Sequence, residues 1–307
     1  MSDVAAEARN AGAGALTSVV IVAADSGPAL ADCVARVLDS TVAVNIIVVD
    51  NATRDGSVEA LAQRWHNEAR VLIVRNSRNL GFGAGCNRGA ALARGDALLF
   101  LNPDCDIAPD TIARARTALQ PGVGLLGVSI VDAEGQREAA ARRRDPLLRR
   151  SLMSVSGLSR FQSRWPRLAG LEIPSLPTAP ATEVVDAVSG AFMLLPRAVF
   201  ERLGGFDEGY FLHAEDLDLC RRVRDSGLAV ACANEIEVMH GKGGSSRHRP
   251  LFVAWHKHRG MWRWFTKFDP AARNPMLRAF VWAGLALHLA LLSPLYGWRQ
   301  LMPRSQR

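Results

Sequence analysis

Residues 18–23 read SVVIVA, an unbroken β-branched run of the kind a strand covered on both faces requires. Pro28 then stands where a helix can start, and Leu30, Cys33, Val34, Val37 and Leu38 recur at helical spacing. The alternation repeats. Residues 45–49 (NIIVV) predict a second buried strand, closed by Asp50 and Asn51, and Val58, Leu61 and Trp65 predict another helix. Residues 71–74 predict a third strand. A glycine-rich loop follows, then a helix over 84–93 and a fourth strand over 97–101 (ALLFL), which ends at Asn102-Pro103-Asp104.

Strands alternating with helices predict an α/β fold with a central, mainly parallel sheet and helices on both faces. Ligands of such sheets sit beyond the carboxyl ends of the strands. Three polar clusters occupy those places: residues 23–25, 50–51 and 102–106. From about 139 to 181 the pattern fades into arginine, serine and proline, which predicts a long loop or a mobile acceptor-side segment. Order resumes over 184–195, 200–207 and 215–227. In the last of these, Leu217, Cys220, Val223 and Arg224 fall at helical spacing, and Gly227 ends the helix.

The C-terminal region changes character. Trp255, Trp262, Trp264, Phe265 and Phe268 mix with basic residues, and residues 279–298 then contain no Lys, Arg, Asp or Glu. That length can just span a bilayer, and Trp282, Tyr296 and Trp298 suit its interface. The stretch reads either as an in-plane or shallow membrane anchor or as an apolar helix packed on the domain or on a second subunit. Residues 1–16, rich in Ala and Gly with one base, lack the basic start and apolar run of a signal peptide and read as a flexible leader on a cytoplasmic protein.

The formal net charge of +7 suits an anionic partner. Much of it crowds one stretch: Arg137, Arg142, Arg143, Arg144, Arg149, Arg150, Arg160, Arg164 and Arg167. This is either a solvated loop or a surface that meets membrane phosphates or a lipid diphosphate. No nucleic-acid motif accompanies the charge, so nucleic acid is not expected as a partner. The five cysteines form no CxxC pair, which argues against a disulfide framework or structural zinc and for a reducing compartment.

Two acidic pairs carry candidate chemistry. Asp104 and Asp106 flank Cys105 at a strand end, where hard oxygen ligands suit Mg²⁺ or Mn²⁺. Glu215 and Asp216 open a helix, where carboxylates either complement the dipole or, partly desolvated by Phe211-Leu212-His213, serve as a base toward a hydroxyl. His240 follows an apolar run and precedes Gly241-Lys242-Gly243-Gly244-Ser245-Ser246, a place for a metal ligand or a diphosphate contact. Residues 81–89 are glycine-rich, but their spacing is not GxGxxG, and no GK[ST] occurs, so dehydrogenase and P-loop readings are set aside.

Seven ordered segments resemble glycosyltransferase family 2, the inverting enzymes of the GT-A fold, and within it the rhamnosyltransferase-like branch. They are residues 18–30, 46–57 (IIVVDNATRDGS), 79–90 (NLGFGAGCNRGA), 101–104 (LNPD), 189–211, 215–228 (EDLDLCRRVRDSGL) and 238–246 (VMHGKGGSS). The resemblance implies a Rossmann-like GT-A domain over 17–268, with a nucleotide-sugar half (17–135), a variable basic segment (139–181) and an acceptor half (182–250). A helical, apolar, membrane-associating tail (269–307) would follow. It implies a nucleotide-sugar site built from Ala23, Asp25, Asp50, Asn51, Asn79, Gly81, Gly83, Asn87, Asn102 and Gly190. Asp104 and His240, with Asp106 as a substitute, would hold the divalent metal; Asp216, beside Glu215, would be the catalytic base.

The implied reaction is inverting transfer of rhamnose or a similar sugar from a nucleoside diphosphate to a glycan or polyprenyl-diphosphate-linked acceptor. It would serve cell-surface polysaccharide synthesis at the inner face of the cytoplasmic membrane. Two departures stand out. Ala23-Ala24-Asp25 replaces the family's Thr/Asn-Tyr-Asn, so the aromatic for base stacking is missing. Asn102 replaces the first acid of the DxD motif. The first departure motivates a second reading, a non-catalytic sugar-nucleotide-binding or scaffold member of a glycan assembly complex.

Overall fold

The computed structural model describes residues 16–173, 180–241 and 250–301. Most of the predicted leader, and Lys242, Gly243, Gly244, Ser245 and Ser246 after His240, lie outside the described residues. The first half follows the predicted alternation: β1 (Thr17–Ala23), α1 (Ala29–Leu38), β2 (Val44–Asp50), α2 (Ser57–Arg64), β3 (Val71–Arg75), α3 (Phe82–Ala90) and β4 (Ala97–Leu101). All four strands run parallel, in the order β3-β2-β1-β4. The chain therefore steps outward from β1 to β3 and then returns to the other side of β1. The resulting crevice between the carboxyl ends of β1 and β4 is where such sheets bind ligands.

The second half extends the sheet with mixed polarity: one antiparallel strand joins β4 to two long strands that run parallel to it. After β5 (Cys105–Asp106), α4 (Thr111–Ala118) and β6 (Val123–Val131) come β7 (Arg142–Arg143), α5 (Leu148–Val155), β8 (Thr182–Val184), β9 (Ala187–Val188) and β10 (Phe192–Pro196). Next are α6 (Arg197–Arg202), α7 (Glu215–Asp225), β11 (Ala229–His240), α8 (Pro250–Phe268) and α9 (Pro275–Leu301). Strand β10 lies antiparallel to β4, and the order continues β10-β6-β11-β5, with β8 on β11. Strands β7 and β9 form a separate two-stranded ribbon.

Alternation along β1 divides the core. Val19, Ile21 and Ala23 face α1, α2 and α4, while Val20 and Val22 face α3 and the α7–α8 layer. The α1 stripe of Leu30, Val34 and Val37 is completely buried, each side chain contributing roughly 1.5–3 kcal/mol. Gly89 lets α3 lie directly on the sheet: a Cβ there would stand 2.4 Å from Val20 Cγ1. On the same face Phe100, Phe200 and Phe206 form an aromatic cluster with centroids 4.9–5.7 Å apart.

Three expectations change in detail. Helix α3 spans Phe82–Ala90 rather than 84–93, because Phe82 N donates to Phe211 O (2.9 Å) and fixes its start. Order over 184–195 is three short strands, broken at Asp186 and at Ser189-Gly190. The segment 139–181 is not irregular throughout. It holds β7, α5 and 3-10 turns, and several of its arginines turn inward: Arg142 onto Glu183 (2.6 Å), Arg150 onto Asp186 (2.5 Å) and Arg144 onto the Glu172 carbonyl (2.7 Å). Acids distant in sequence organise it, which local periodicity does not record. The five cysteines are buried and free.

Candidate active site

Strand pairing builds the first half of the site. His240 pairs with Cys105 across β11 and β5, and Gly241 N donates to Asp104 O (2.9 Å). The Asp104 carboxylate thus lies 3.2 Å from His240 Nε2, with the Asn102 amide nitrogen 3.1 Å from the same ring atom. Glu138 Oε1 stands 3.3 Å from Nδ1 on the other side. A carboxylate there accepts the Nδ1 proton and leaves the Nε2 lone pair facing Asp104, the arrangement that orients a metal-bound histidine. Burial opposes the charged imidazole, but the hydrogen bond and charge of Asp104, together with Glu138, outweigh it and raise its pKa.

Asp104, Cys105 and His240 form a cluster whose candidate ligand atoms lie within 4.8 Å of one another. Burial pushes the Cys105 thiol far up, so it stays protonated, and it donates to Ala191 O (3.4 Å). That leaves one carboxylate oxygen and one imidazole nitrogen, a donor pair that fits Mn²⁺ or Mg²⁺ better than a thiophilic metal. Asp106 stands apart from the cluster, with its carboxylate 2.9 Å from Arg36 Nε.

The second half of the site is the start of α7. His213 and Ala214 have φ of 67° and 70°, left-handed values uncommon outside glycine, and they turn the chain so that Glu215 and Asp216 point in two directions. Helix α8 holds this turn in place at Gly260, where a Cβ would stand 2.6 Å from His213 O. An ion-pair ladder locks the two helices further along, with Lys267 Nζ bridging Asp218 (2.6 Å) and Asp207 (2.7 Å).

Asp216 receives three donors: the Arg143 guanidinium and Gly190 N (3.3 Å) on Oδ2, and Leu217 N (2.8 Å) on Oδ1. Arg143 arrives on β7, whose partner β9 leads straight into Ser189-Gly190, so one ribbon delivers two of the three donors. Glu215 has the opposite environment. Its side chain is buried, and its Oε2 finds no hydrogen-bond partner among the described residues. Burial, with the Asp216 charge beside it, pushes its pKa up to about 8.

The nucleotide side is scaffolded by Asn51. Its amide nitrogen donates to Asn79 Oδ1 (2.9 Å) and Gly81 O (3.0 Å), and its oxygen accepts from Leu80 N and Asn76 Nδ2 (both 3.0 Å). Gly81, at φ 92°, sits so close to Phe211 that a Cβ would stand 2.4 Å from its carbonyl oxygen. The β1 loop is tied to the next one by Arg54 N to Asp25 Oδ1 (2.7 Å) and Gly27 N to Asp55 Oδ2 (2.7 Å).

These parts enclose one cleft of about 540 Å³. Of the predicted residues, Asp25, Asn51, Asn79, Gly81, Asn102, Asp104, Gly190, Glu215, Asp216 and His240 line it. Ala23, Asp50, Gly83 and Asn87 do not. Asp50 accepts from Thr53 N (2.8 Å) and pairs with Arg75 (3.2 Å). Asn87 bridges both backbone groups of Phe206, and Gly83 packs against that ring. Sequence reasoning missed Glu138, and it left Arg143 undistinguished among its arginine neighbours. Lys257 and Phe252, on the cleft face of α8, are likewise visible only in three dimensions.

The geometry agrees with the comparisons to known proteins. Residues 18–174 match the description "Glycosyl transferase family 2". The chain is 31% identical over 288 residues to N-acetylglucosaminyl-diphospho-decaprenol L-rhamnosyltransferase of Mycobacterium tuberculosis, covering 84% of this chain and 92% of that one. Its fold is similar to that of a Pyrobaculum calidifontis mannosyltransferase solved with GDP-Man and Mn²⁺ (TM-score 0.56, 17% identity, 92% of this chain and 73% of that one). It is also similar to S. aureus TarS 1-349 solved with UDP-GlcNAc (TM-score 0.56, 13% identity, 86% and 71%). The fold is that of GT-A glycosyltransferases, and the chain belongs to glycosyltransferase family 2 as a rhamnosyltransferase-like enzyme.

Proposed function

We propose that this glycosyltransferase moves rhamnose or a closely related sugar from a nucleoside diphosphate to a polyprenyl-diphosphate-linked glycan, with inversion, at the cytoplasmic face of a membrane. The observation that carries the reading is the placement of Asp216 and the Asp104–His240 pair on the walls of a single cleft. One wall suits a diphosphate and the other a hydroxyl about to lose its proton. The 31% identity to an enzyme whose name specifies a decaprenyl-diphosphate acceptor supports the acceptor class.

Asp216 takes the proton of the acceptor hydroxyl as that oxygen attacks the anomeric carbon. The bond from the anomeric carbon to the diphosphate oxygen breaks on the opposite face, and the nucleoside diphosphate departs with the electron pair. Arg143 and Gly190 N hold Oδ2 of Asp216 in place for this step. Asp104 and His240 would hold Mg²⁺ or Mn²⁺, whose bound charge offsets that of the leaving diphosphate. Asn102 and Glu138 orient the His240 ring. The loop at Ala24, Asp25 and Ser26 borders the donor end of the cleft, and Lys257, Phe252 and Met261 on α8 border the acceptor end.

Membrane association is part of the proposal. Within α9, residues Pro275–Pro294 have a mean hydropathy of 1.6, and none of them is fully buried although one side of the helix meets α8. Met276, Phe280, Trp282, Leu287 and Leu291 are each more than half exposed. A bilayer interface supplies the missing apolar contact.

The test is product formation from a panel of nucleotide sugars with a polyprenyl diphosphate-linked N-acetylglucosamine acceptor, with and without Mn²⁺. Asp216→Asn is expected to lower kcat by roughly 10²–10⁴-fold at unchanged thermal stability. Undiminished turnover in that variant would remove Asp216 as the base, and absence of product across the panel would remove the substrate assignment.

A further inference from the structure

Away from the cleft, the span from Pro146 to Leu171 has an unusual surface. It contains Arg149, Arg150, Arg160, Arg164 and Arg167 and no acidic residue. Among these, Arg150 turns inward onto Asp186 and Arg149 donates to the Arg167 carbonyl, which leaves Arg160, Arg164 and Arg167 facing outward. The span is apolar as well as basic. Helix α5 buries none of its residues. Val155 is 88% exposed and Trp165 54%, and Leu152, Leu158 and Phe161 are each at least 40% exposed. Arg160 and Arg164 lie over the rings of Phe161 and Trp165 at 4.7 and 5.9 Å, and the two rings meet edge to face. A solvated loop has no physical reason to present five large apolar side chains among three outward arginines.

The patch is joined to the apolar tail. Asp269 Oδ2 accepts from Leu148 N (2.6 Å) at the start of α5, while its Oδ1 caps the 3-10 turn that launches α9 by accepting from Ala271 N (2.8 Å). One buried carboxylate thus fixes the basic span beside the exposed apolar helix.

We propose that residues 146–171 form a second membrane contact, selective for anionic lipid, which seats the cleft over the bilayer beside α9. Arginine heads meet lipid phosphates while Trp165, Phe161, Leu158 and Val155 enter the acyl boundary. The aliphatic members favour lipid over nucleic acid, since bases stack on rings but give Val155, Leu152 and Leu158 nothing to enter. The inference extends the membrane part of the proposed function and does not depend on which sugar or acceptor is used.

The test is co-sedimentation of the full chain with phosphatidylcholine vesicles and with vesicles that also contain phosphatidylglycerol. The wild type is expected to prefer the anionic vesicles, with the preference falling as salt rises. Each arginine near an anionic surface contributes about fivefold, so Arg160→Gln, Arg164→Gln and Arg167→Gln together should lower partition onto anionic vesicles roughly 100-fold. Their binding to neutral vesicles and their turnover of a soluble acceptor analogue should stay unchanged. Brominated lipids should quench the wild type more than Trp165→Phe, a readout that does not rely on the triple variant's folding. Equal binding of the triple variant and the wild type to anionic vesicles would overturn the proposal. So would quenching that is the same with and without Trp165, or displacement from vesicles by a short RNA at matched charge. Failure of the patch leaves soluble-acceptor turnover intact, whereas failure of the proposed function removes it.

Discussion

Glu215 and Asp216 are adjacent carboxyls that the structure treats in opposite ways, and this gives a sharp expectation for Glu215→Gln. The folded protein holds Glu215 protonated up to about pH 8, through burial and the neighbouring Asp216 charge. The unfolded chain releases that proton near the ordinary value of 4.5. Between those limits the folded state binds the extra proton, so the Glu215 contribution makes the protein less stable as pH rises. The full slope is about 1.36 kcal/mol per pH unit. Glutamine copies the neutral acid in shape and cannot ionise. Over two units, from about pH 5.5 to about pH 7.5, the variant should therefore gain on the order of 2–3 kcal/mol on the wild type. Urea unfolding of both proteins at the two pH values measures this difference, and the titrations they share cancel. Turnover of Glu215→Gln should remain within a few-fold of wild type, because the group it replaces is already neutral at working pH. A stability gap that does not move with pH, or a loss of rate as large as that of Asp216→Asn, would refute the reasoning and make Glu215 an ionised participant.

Three further expectations follow from the same geometry. Arg143→Met should lower kcat roughly 10- to 100-fold, the size of a hydrogen bond to a charged group, with Arg143→Lys recovering part of it and donor KM little changed; steady-state kinetics with a varied donor decide. Glu138→Ala should weaken Mn²⁺ binding about 10- to 100-fold without loss of fold, because it removes the acceptor that orients His240; calorimetric titration of the metal reads this directly. Gly260→Ala should destabilise the protein by about 1–3 kcal/mol, since a Cβ 2.6 Å from His213 O must push α8 off the catalytic turn; denaturant unfolding measures the loss, and a neutral result would mean that the contact relaxes freely.

The parallel half of the fold was legible because each of its elements buries a local pattern. Residues 18–23 alternate Val19 and Ile21 to one core and Val20 and Val22 to the other, so the strand must be apolar throughout. The stripe Leu30, Val34 and Val37 announces α1 for the same reason. The second half gave weaker signals. Strands β7, β9 and β5 are two residues long, too short for any period, and they exist because a distant partner pairs with them. The span 139–181 read as irregular because the acids that organise it, Glu183 and Asp186 among them, lie outside it in sequence.

The same distinction divides the site. Asp104, Asn51 and Asp25 stand directly after strands β4, β2 and β1, so a strand end marks each one, and Asp216 is marked by the helix it opens. Glu138 and Arg143 reach the cleft through the turn after β6 and through the β7–β9 ribbon, and nothing in their immediate sequence separates them from solvent-facing neighbours. The cleft-lining acids that the pattern singled out thus acquire their chemistry from residues that it did not. Asp216 and Glu215 share a helix turn and a charge. What distinguishes them is that a ribbon brings a guanidinium and an amide to one and nothing to the other. A motif can fix where two carboxyls stand, but only the long-range pairing of β7 with β9 decides which of them can take a proton from the acceptor.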